Sequence, residues 1–410
     1  MNGKRAAYFG FALALLLQVP SARTADANRP AANGPRPGYA GDAACVSCHR
    51  TEGLSYAHTA HKLTSQQAGK ESILGNLSPG RNVLNISTPA THPNQPALFF
   101  EITAHDGGFF ETAKTGWPGH LLSQTEPIDV VTGSGTRGQT YLYWKADKLF
   151  ELPVSYWTDG SRWVNSPGFV DGTVDFARPV NPGCLECHAT YIRPLSTDPL
   201  TNSFDRKTLV TGISCETCHG PAAEHVALYA GRSPRDPAPR DTAILNPAKF
   251  SRDLQVDACA YCHSGIQRIA TAPAFSFTPG RPLDEYFKPL QNEAASHPDV
   301  HGNQVGLLKR SRCYQSSPNL SCATCHNPHE AEKPAASYAP VCLQCHQWTS
   351  CGESKKLGHA IAGKCIDCHM PVETTKVIAS ETAGQIVRAK MRNHWIKVYP
   401  DSTTLKSATD

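Results

Sequence analysis

The five-residue pattern C-x-x-C-H occurs seven times in this chain and constrains its fold more than any other feature. The copies run Cys45–His49, Cys184–His188, Cys215–His219, Cys259–His263, Cys322–His326, Cys342–His346 and Cys365–His369, and they use fourteen of the sixteen cysteines. C-x-x-C-H is the attachment site of c-type haem. In each copy the two thiols add across the porphyrin vinyl groups: Cys45 and Cys48, Cys184 and Cys187, Cys215 and Cys218, Cys259 and Cys262, Cys322 and Cys325, Cys342 and Cys345, Cys365 and Cys368. The imidazole that follows (His49, His188, His219, His263, His326, His346 or His369) then binds iron from one side. Zinc-binding or redox C-x-x-C pairs do not require a histidine directly after the second cysteine, yet all seven copies have one. The expected cofactor is haem c, seven times, covalently attached.

The N-terminus reads as a secretory signal over residues 1–27. Lys4 and Arg5 precede a short apolar run from Ala6 to Val19, and Ala25-Asp26-Ala27 offers a small-residue cleavage site. The run is shorter than the roughly 20 apolar residues of a membrane span, so no span is expected in the mature chain. Export to the periplasm or cell exterior suits the motifs, because c-type attachment is completed outside the cytoplasm. The formal charge of +4 loses Lys4, Arg5 and Arg23 along with Asp26. Two propionates per haem then turn the holoprotein negative, roughly −5 when oxidised, which excludes nucleic acid as a partner.

Hydrophobic residues make up 40% of the chain, and fourteen of these are motif cysteines. Macrocycles must therefore supply much of the buried apolar surface, and a haem-free chain is not expected to fold. The expected fold is mainly short α-helices and irregular loops packed around c-type haems, with an inserted small β-rich subdomain. Residues 28–40 read as a flexible leader and 41–70 as a first haem segment. Residues 71–183 read as the haem-free insert, 184–370 as an array of six motifs, and 371–410 as a C-terminal return segment.

Within this outline a helix is expected over Arg50–Gly69, with His58 and His61 on one face. In the insert, Ala97–Thr103 and Gly108–Thr112 read as strands around His105-Asp106-Gly107. Gln139–Trp144 and Lys148–Tyr156 read as a hairpin turning at Ala146-Asp147. Trp117, Trp144, Trp157 and Trp163 suggest a small aromatic core. Gly133-Ser-Gly135-Thr-Arg-Gly138 matches G-x-G-x-x-G, but a β-rich run follows it where a dinucleotide site needs a helix. These glycines are read as a turn. Pro221 and Gly231 bracket a short helix carrying His225. Ile386–Tyr399 is expected as a strand returning over the array, with little regular sheet outside the insert.

Eleven histidines remain for the far sides of the irons. His58, His61, His225, His329 and His394 are the leading candidates, followed by His301, His359, His120 and His297. His92 and His105 read as surface residues. Met370 adjoins His369 and reaches the far face of that haem poorly, so bis-His ligation is expected to dominate, with low potentials. His329 follows His326 too closely to serve the same haem and is expected to cross to another. Cys313 and Cys351 are left over. Two readings stand open for them, a disulfide or two reduced thiols.

The chain resembles the exported multihaem cytochromes c of the cytochrome c-554 and doubled-CXXCH type. Gly41-Asp-Ala-Ala-Cys45-Val-Ser-Cys48-His49 with His58 and His61 carries the likeness, as does Cys215-Glu-Thr-Cys218-His219-Gly-Pro with His225. Ser321-Cys-Ala-Thr-Cys-His326-Asn-Pro-His329, Cys365-Ile-Asp-Cys-His-Met370-Pro371 and the Gly133-Ser-Gly135 segment before Tyr141-Leu-Tyr-Trp144 extend it over roughly residues 40–400. The resemblance implies electron transfer through closely packed haems, with redox proteins as donor and acceptor. Seven motifs depart from the four haems of the namesake. Related folds include reductases of nitrogen and sulfur compounds, so a reductase or oxidase with one open iron is the alternative. A filament subunit is a third reading. The spare histidines suffice for seven irons, which favours electron transfer over catalysis.

Overall fold

The computed structural model describes residues 36–399, apart from 89, 234–235, 238–240, 266–267 and 290–302. The expected signal segment, most of the leader, His297 and His301 lie outside the described residues.

Sheet, rather than helix, sets the architecture, which corrects the expectation of mainly short helices. Sixteen strands form five antiparallel sheets among the described residues. A four-stranded sheet runs in the order β2 (Val83–Ser87), β3 (Ala97–His105), β4 (Gly108–Trp117) and β5 (His120–Pro127). A second sheet contains β1 (Ser65–Gln67), β6 (Val130–Thr132), β7 (Gly138–Lys145), β8 (Lys148–Trp157) and β10 (Arg178–Pro179), with β9 (Arg162–Asn165) also paired to β8. The two sheets share one apolar core. Leu98, Phe100 and Ile102 of β3 meet Tyr141 and Tyr143 of β7, Leu152 and Val154 of β8, and Trp163 of β9.

Period-two alternation explains why β7 is buried on both faces. Tyr141 and Tyr143 enter the sandwich core, while Leu142 and Trp144 point the other way. That second face, with Val130 of β6 and Leu149 of β8, packs on Leu185 of the second motif, on Ile192 and on Phe204. The β3–β4 turn uses Asp106 (φ 52°) and Gly107 (φ 76°), the left-handed pair of a tight hairpin. Gly133 and Gly135 have φ of 90° and 84° and lead into β7, a strand, as the sequence reading required.

Three hairpins outside the sandwich overturn the expectation of little further sheet. They are β11 (Ala189–Pro194) with β12 (Phe204–Thr211), β13 (Arg268–Ala270) with β14 (Phe287–Pro289), and β15 (Val372–Thr382) with β16 (Gln385–Arg392). The linkers are rich in β-branched residues, as in Thr208–Thr211 and Thr374–Ile378, which favour extended backbone. The motifs supply only short helices, including Asp42–Cys48, Pro182–His188, Cys215–His219 and Cys365–His369; Arg252–His263, with 12 residues, is the longest described.

Other expectations are corrected locally. The helix expected over Arg50–Gly69 ends at Tyr56, because Ser65–Gln67 is drawn into pairing with β6. His58 and His61 therefore sit in turns. The expected strand Ile386–Tyr399 stops at Arg392. Trp117 is 50% exposed at the β4–β5 end, whereas Trp144, Trp157 and Trp163 are buried.

The return hairpin is tied down at both ends. Asn165 Nδ2 donates to Glu381 O (2.7 Å) and to Asp171 Oδ1 (2.8 Å), and Val387 and Ala389 pack on Trp157 and Val164. At the other end Arg392 donates to Met370 O (2.8 Å) and Asp367 Oδ1 (3.1 Å) in the seventh motif.

Candidate functional site

The motif histidines face histidines contributed by other parts of the chain. His49 lies 6.3 Å from His225 between ring centroids, with planes inclined by 23°. His219 lies 5.9 Å from His329 at 20°, and His326 lies 6.1 Å from His394 at 30°. His263 faces His61 at 5.9 Å with the rings crossed at 80°. Each facing residue follows a different motif from the one it meets. The structure thus brings together His61, His225, His329 and His394, four of the five leading candidates, with four motif histidines.

The other candidates fall elsewhere. His58 is exposed just beyond the helix Arg50–Tyr56. His359 is exposed and sits edge-on to Trp348 at 5.2 Å. His120 opens β5 at an exposed end, and His105 stacks on Phe110 at 4.3 Å on the exposed end of β3. His92 is exposed in a turn. His346, the histidine of the sixth motif, is exposed.

Ring tautomers are fixed by what Nδ1 touches. His219 Nδ1 donates to Leu245 O (2.9 Å), His369 Nδ1 to Lys397 O (2.8 Å) and His394 Nδ1 to Arg392 O (3.3 Å). A carbonyl only accepts, so Nδ1 holds the proton and Nε2 keeps its lone pair. His188 Nδ1 lies 3.1 Å from Thr64 Oγ1. His225 Nδ1 lies 2.5 Å from Asp241 Oδ2.

Burial disfavours the charged form of five of the paired rings. It pushes His263 down to about 4, with the neighbouring His61, His394 and His326 adding to the effect. His394 is likewise pushed down to about 4, by burial and then by His326. Burial also lowers His61, His326 and His329. His61 and His263 are exposed, although many atoms of the chain surround them.

The site fits haem. An imidazole nitrogen binds a first-row metal at about 2.0–2.1 Å and its ring centroid lies about 1 Å further out, so two imidazoles on opposite sides of one ion hold their centroids about 6 Å apart. The four facing pairs span 5.9–6.3 Å. Structural zinc needs four converging donors. Among the described residues no group of three or more His, Cys, Asp or Glu converges in that way.

Two of the four contacts between motifs skip a motif in sequence. The Cys45 thiol meets that of Cys215, Cys187 meets Cys262, Cys259 meets Cys322, and Cys342 meets Cys365. Two glutamates inside the motifs, which sequence reasoning passed over, organise these joints. Glu216 is 2% exposed and accepts from the amides of Ala40 (2.8 Å), Gly41 (2.9 Å) and Ala222 (2.9 Å), fixing the first motif against the third. Glu186 accepts from Tyr261 Oη (2.9 Å) and the Phe275 amide (2.9 Å), fixing the second motif against the fourth. Burial raises the Glu186 pKa, with the two hydrogen bonds opposing it. The available signal was an acid at the second or third position of a motif whose neighbours must pack closely. Cys313 and Cys351 are free thiols, which leaves the disulfide reading without support.

The family model of cytochrome c554 and c-prime matches residues 157–220, which include the second and third motifs. The chain is similar to the C-type polyheme cytochrome OmcC of Geobacter sulfurreducens, 23% identical over 168 residues, covering 40% of this chain and 20% of that protein. It is also similar to the multiheme cytochrome MtrA of Shewanella baltica, 23% identical over 196 residues, covering 46% of this chain and 45% of the relative. The chain thus spans less than half the length of these curated relatives. Among solved structures, the outer cell wall cytochrome OcwA shares the fold, with a TM-score of 0.55 at 17% identity over 90% of this chain and 82% of that one. Together with the repeated attachment motifs and the facing imidazoles, the family match and the curated relatives mark the chain as a multihaem c-type cytochrome.

Proposed function

We propose that this electron-transfer cytochrome is exported and carries seven haems, one at each motif. When bound, each haem iron supplies a one-electron ferric/ferrous couple. The polypeptide holds the ligands and sets the environment that tunes each couple. The single observation that carries this reading is the set of four facing imidazole pairs formed across motifs. His49 and His225, His219 and His329, His263 and His61, and His326 and His394 are the pairs that would each hold one haem iron.

The thiol contacts support a route through the motifs in the order first, third, fourth, fifth, sixth, seventh, with the second joined beside the fourth. Cys218 lies near Cys259 and Cys262, and His326 packs on Tyr338 at 5.2 Å beside the sixth motif, which supports the two remaining links. Redox proteins docking transiently at exposed haem edges are the proposed donor and acceptor. Export rests on the N-terminal sequence. Among the described residues no helix is long and apolar enough to cross a membrane.

Mass spectrometry of the purified mature protein, together with electron paramagnetic resonance of its oxidised form, tests the reading. Seven added haems and low-spin signals at the four paired centres are expected. A lower haem count, or high-spin iron at those pairs, would refute it.

A further inference from the structure

Five site histidines have their Nδ1 hydrogen-bonded, and four of them meet uncharged oxygens: Thr64 for His188, Leu245 for His219, Lys397 for His369 and Arg392 for His394. His225 meets a carboxylate. Asp241 Oδ2 lies 2.5 Å from its Nδ1, and the two side chains are only 22% and 13% exposed. The carboxylate is itself held in place, because Asp241 Oδ1 accepts from the Ala243 amide at 2.9 Å. The imidazole is held on another side by the Tyr229 ring, 5.0 Å between centroids.

A carboxylate behind a ligating imidazole raises its basicity and fixes its orientation. A stronger donor ligand favours ferric over ferrous iron, because axial ligation and its hydrogen bonding set the potential. The low dielectric of a partly buried site strengthens this effect.

We propose that Asp241 is a positioning residue which, through His225, lowers the potential of the haem held by Cys45, Cys48 and His49. This rests on His49 and His225 being the axial pair of one haem. The step is a one-electron change with no bond broken, and the Nδ1 proton stays on His225. The first motif meets the third through Cys45 and Cys215. A lowered potential at the first centre therefore favours transfer of an electron from it to its neighbour.

The test uses the holoprotein and its Asp241→Asn variant, titrated potentiometrically with paramagnetic resonance detection. Asparagine keeps the hydrogen bond and removes the charge. One centre is expected to become easier to reduce by about tenfold in equilibrium constant, 59 mV for one electron, with the others unmoved. Asp241→Glu restores the original value. His225→Met marks the same centre and tests the axial reading by itself. If it leaves every low-spin signal unchanged, the ligand assignment fails, whatever Asp241 does. If it alters one signal while Asp241→Asn titrates like the parent, or moves all centres together, the role of Asp241 is overturned. Should Asp241→Asn lose haem, the unaltered protein decides. One ferric signal must show g-values narrowed relative to the other bis-His centres, and its absence overturns the proposal.

Discussion

His329 stands three residues after His326, yet its ring faces that of His219, 5.9 Å away and inclined by only 20°. The segment of the fifth motif thus closes a site begun by the third. Replacing His329 with alanine is expected to convert one low-spin ferric centre to high spin without loss of haem mass. Paramagnetic resonance reads this directly, and an unchanged low-spin spectrum would disprove the pairing.

Glu216 is the buried hub of the joint between the first and third motifs. Hydrogen bonds to a charged group contribute about 1.5–3 kcal/mol each, and three amides converge here. Glu216→Ala is expected to destabilise the protein by roughly 3 kcal/mol or more, with Glu216→Gln intermediate. Denaturant midpoints of the three proteins check the order.

Glu111 on β4 is fully buried, and neither carboxylate oxygen has a full hydrogen bond. Burial raises its pKa well above 4.5, and the Val154 backbone offsets this only in part. The folded-state pKa therefore exceeds that of the unfolded chain. The stabilising contribution is complete below pH 4.5 and is lost as pH rises toward the folded value, at about 1.4 kcal/mol per pH unit in that window. Glu111→Gln removes this dependence. Thermal midpoints measured from pH 5 to 7 are expected to fall for the parent relative to the variant, and parallel curves would count against it.

Gly212 has φ of 69°, and a Cβ added there would lie 2.1 Å from Lys62 O. The next amide, Ile213 N, donates to His61 O at 3.0 Å. Gly212→Ala is expected to cost at least about 2 kcal/mol, from the left-handed backbone and the clash with main chain. Because the strain falls beside His61, a weakened low-spin signal at the His61–His263 centre is expected alongside the lower melting temperature.

The attachment motifs and the hairpins of the sandwich were legible in the sequence, for local reasons. C-x-x-C-H is a contiguous chemical pattern, and Asp106-Gly107 between alternating apolar residues is a turn with a steric cause. The crossing of His329 away from His326 followed from reach alone. What stayed hidden was long-range. Nothing local marks Ser65–Gln67 as a strand, because its partner β6 lies far along the chain. Apart from the returning strand, the extra hairpins were missed because little regular sheet was expected outside the insert. Nothing in their short motifs singles out Glu186 and Glu216, and it is the packing of one motif on another that buries them.

The path of residues 393–399 bears on how the protein is made. This stretch sets the His394 ring against His326 and the Lys397 carbonyl against His369, two sites whose cysteines are synthesised earlier. A polypeptide emerging from its N-terminus would carry every attachment cysteine before these last groups arrive. A premature stop upstream of them would remove the ring that faces His326 and the carbonyl that fixes His369.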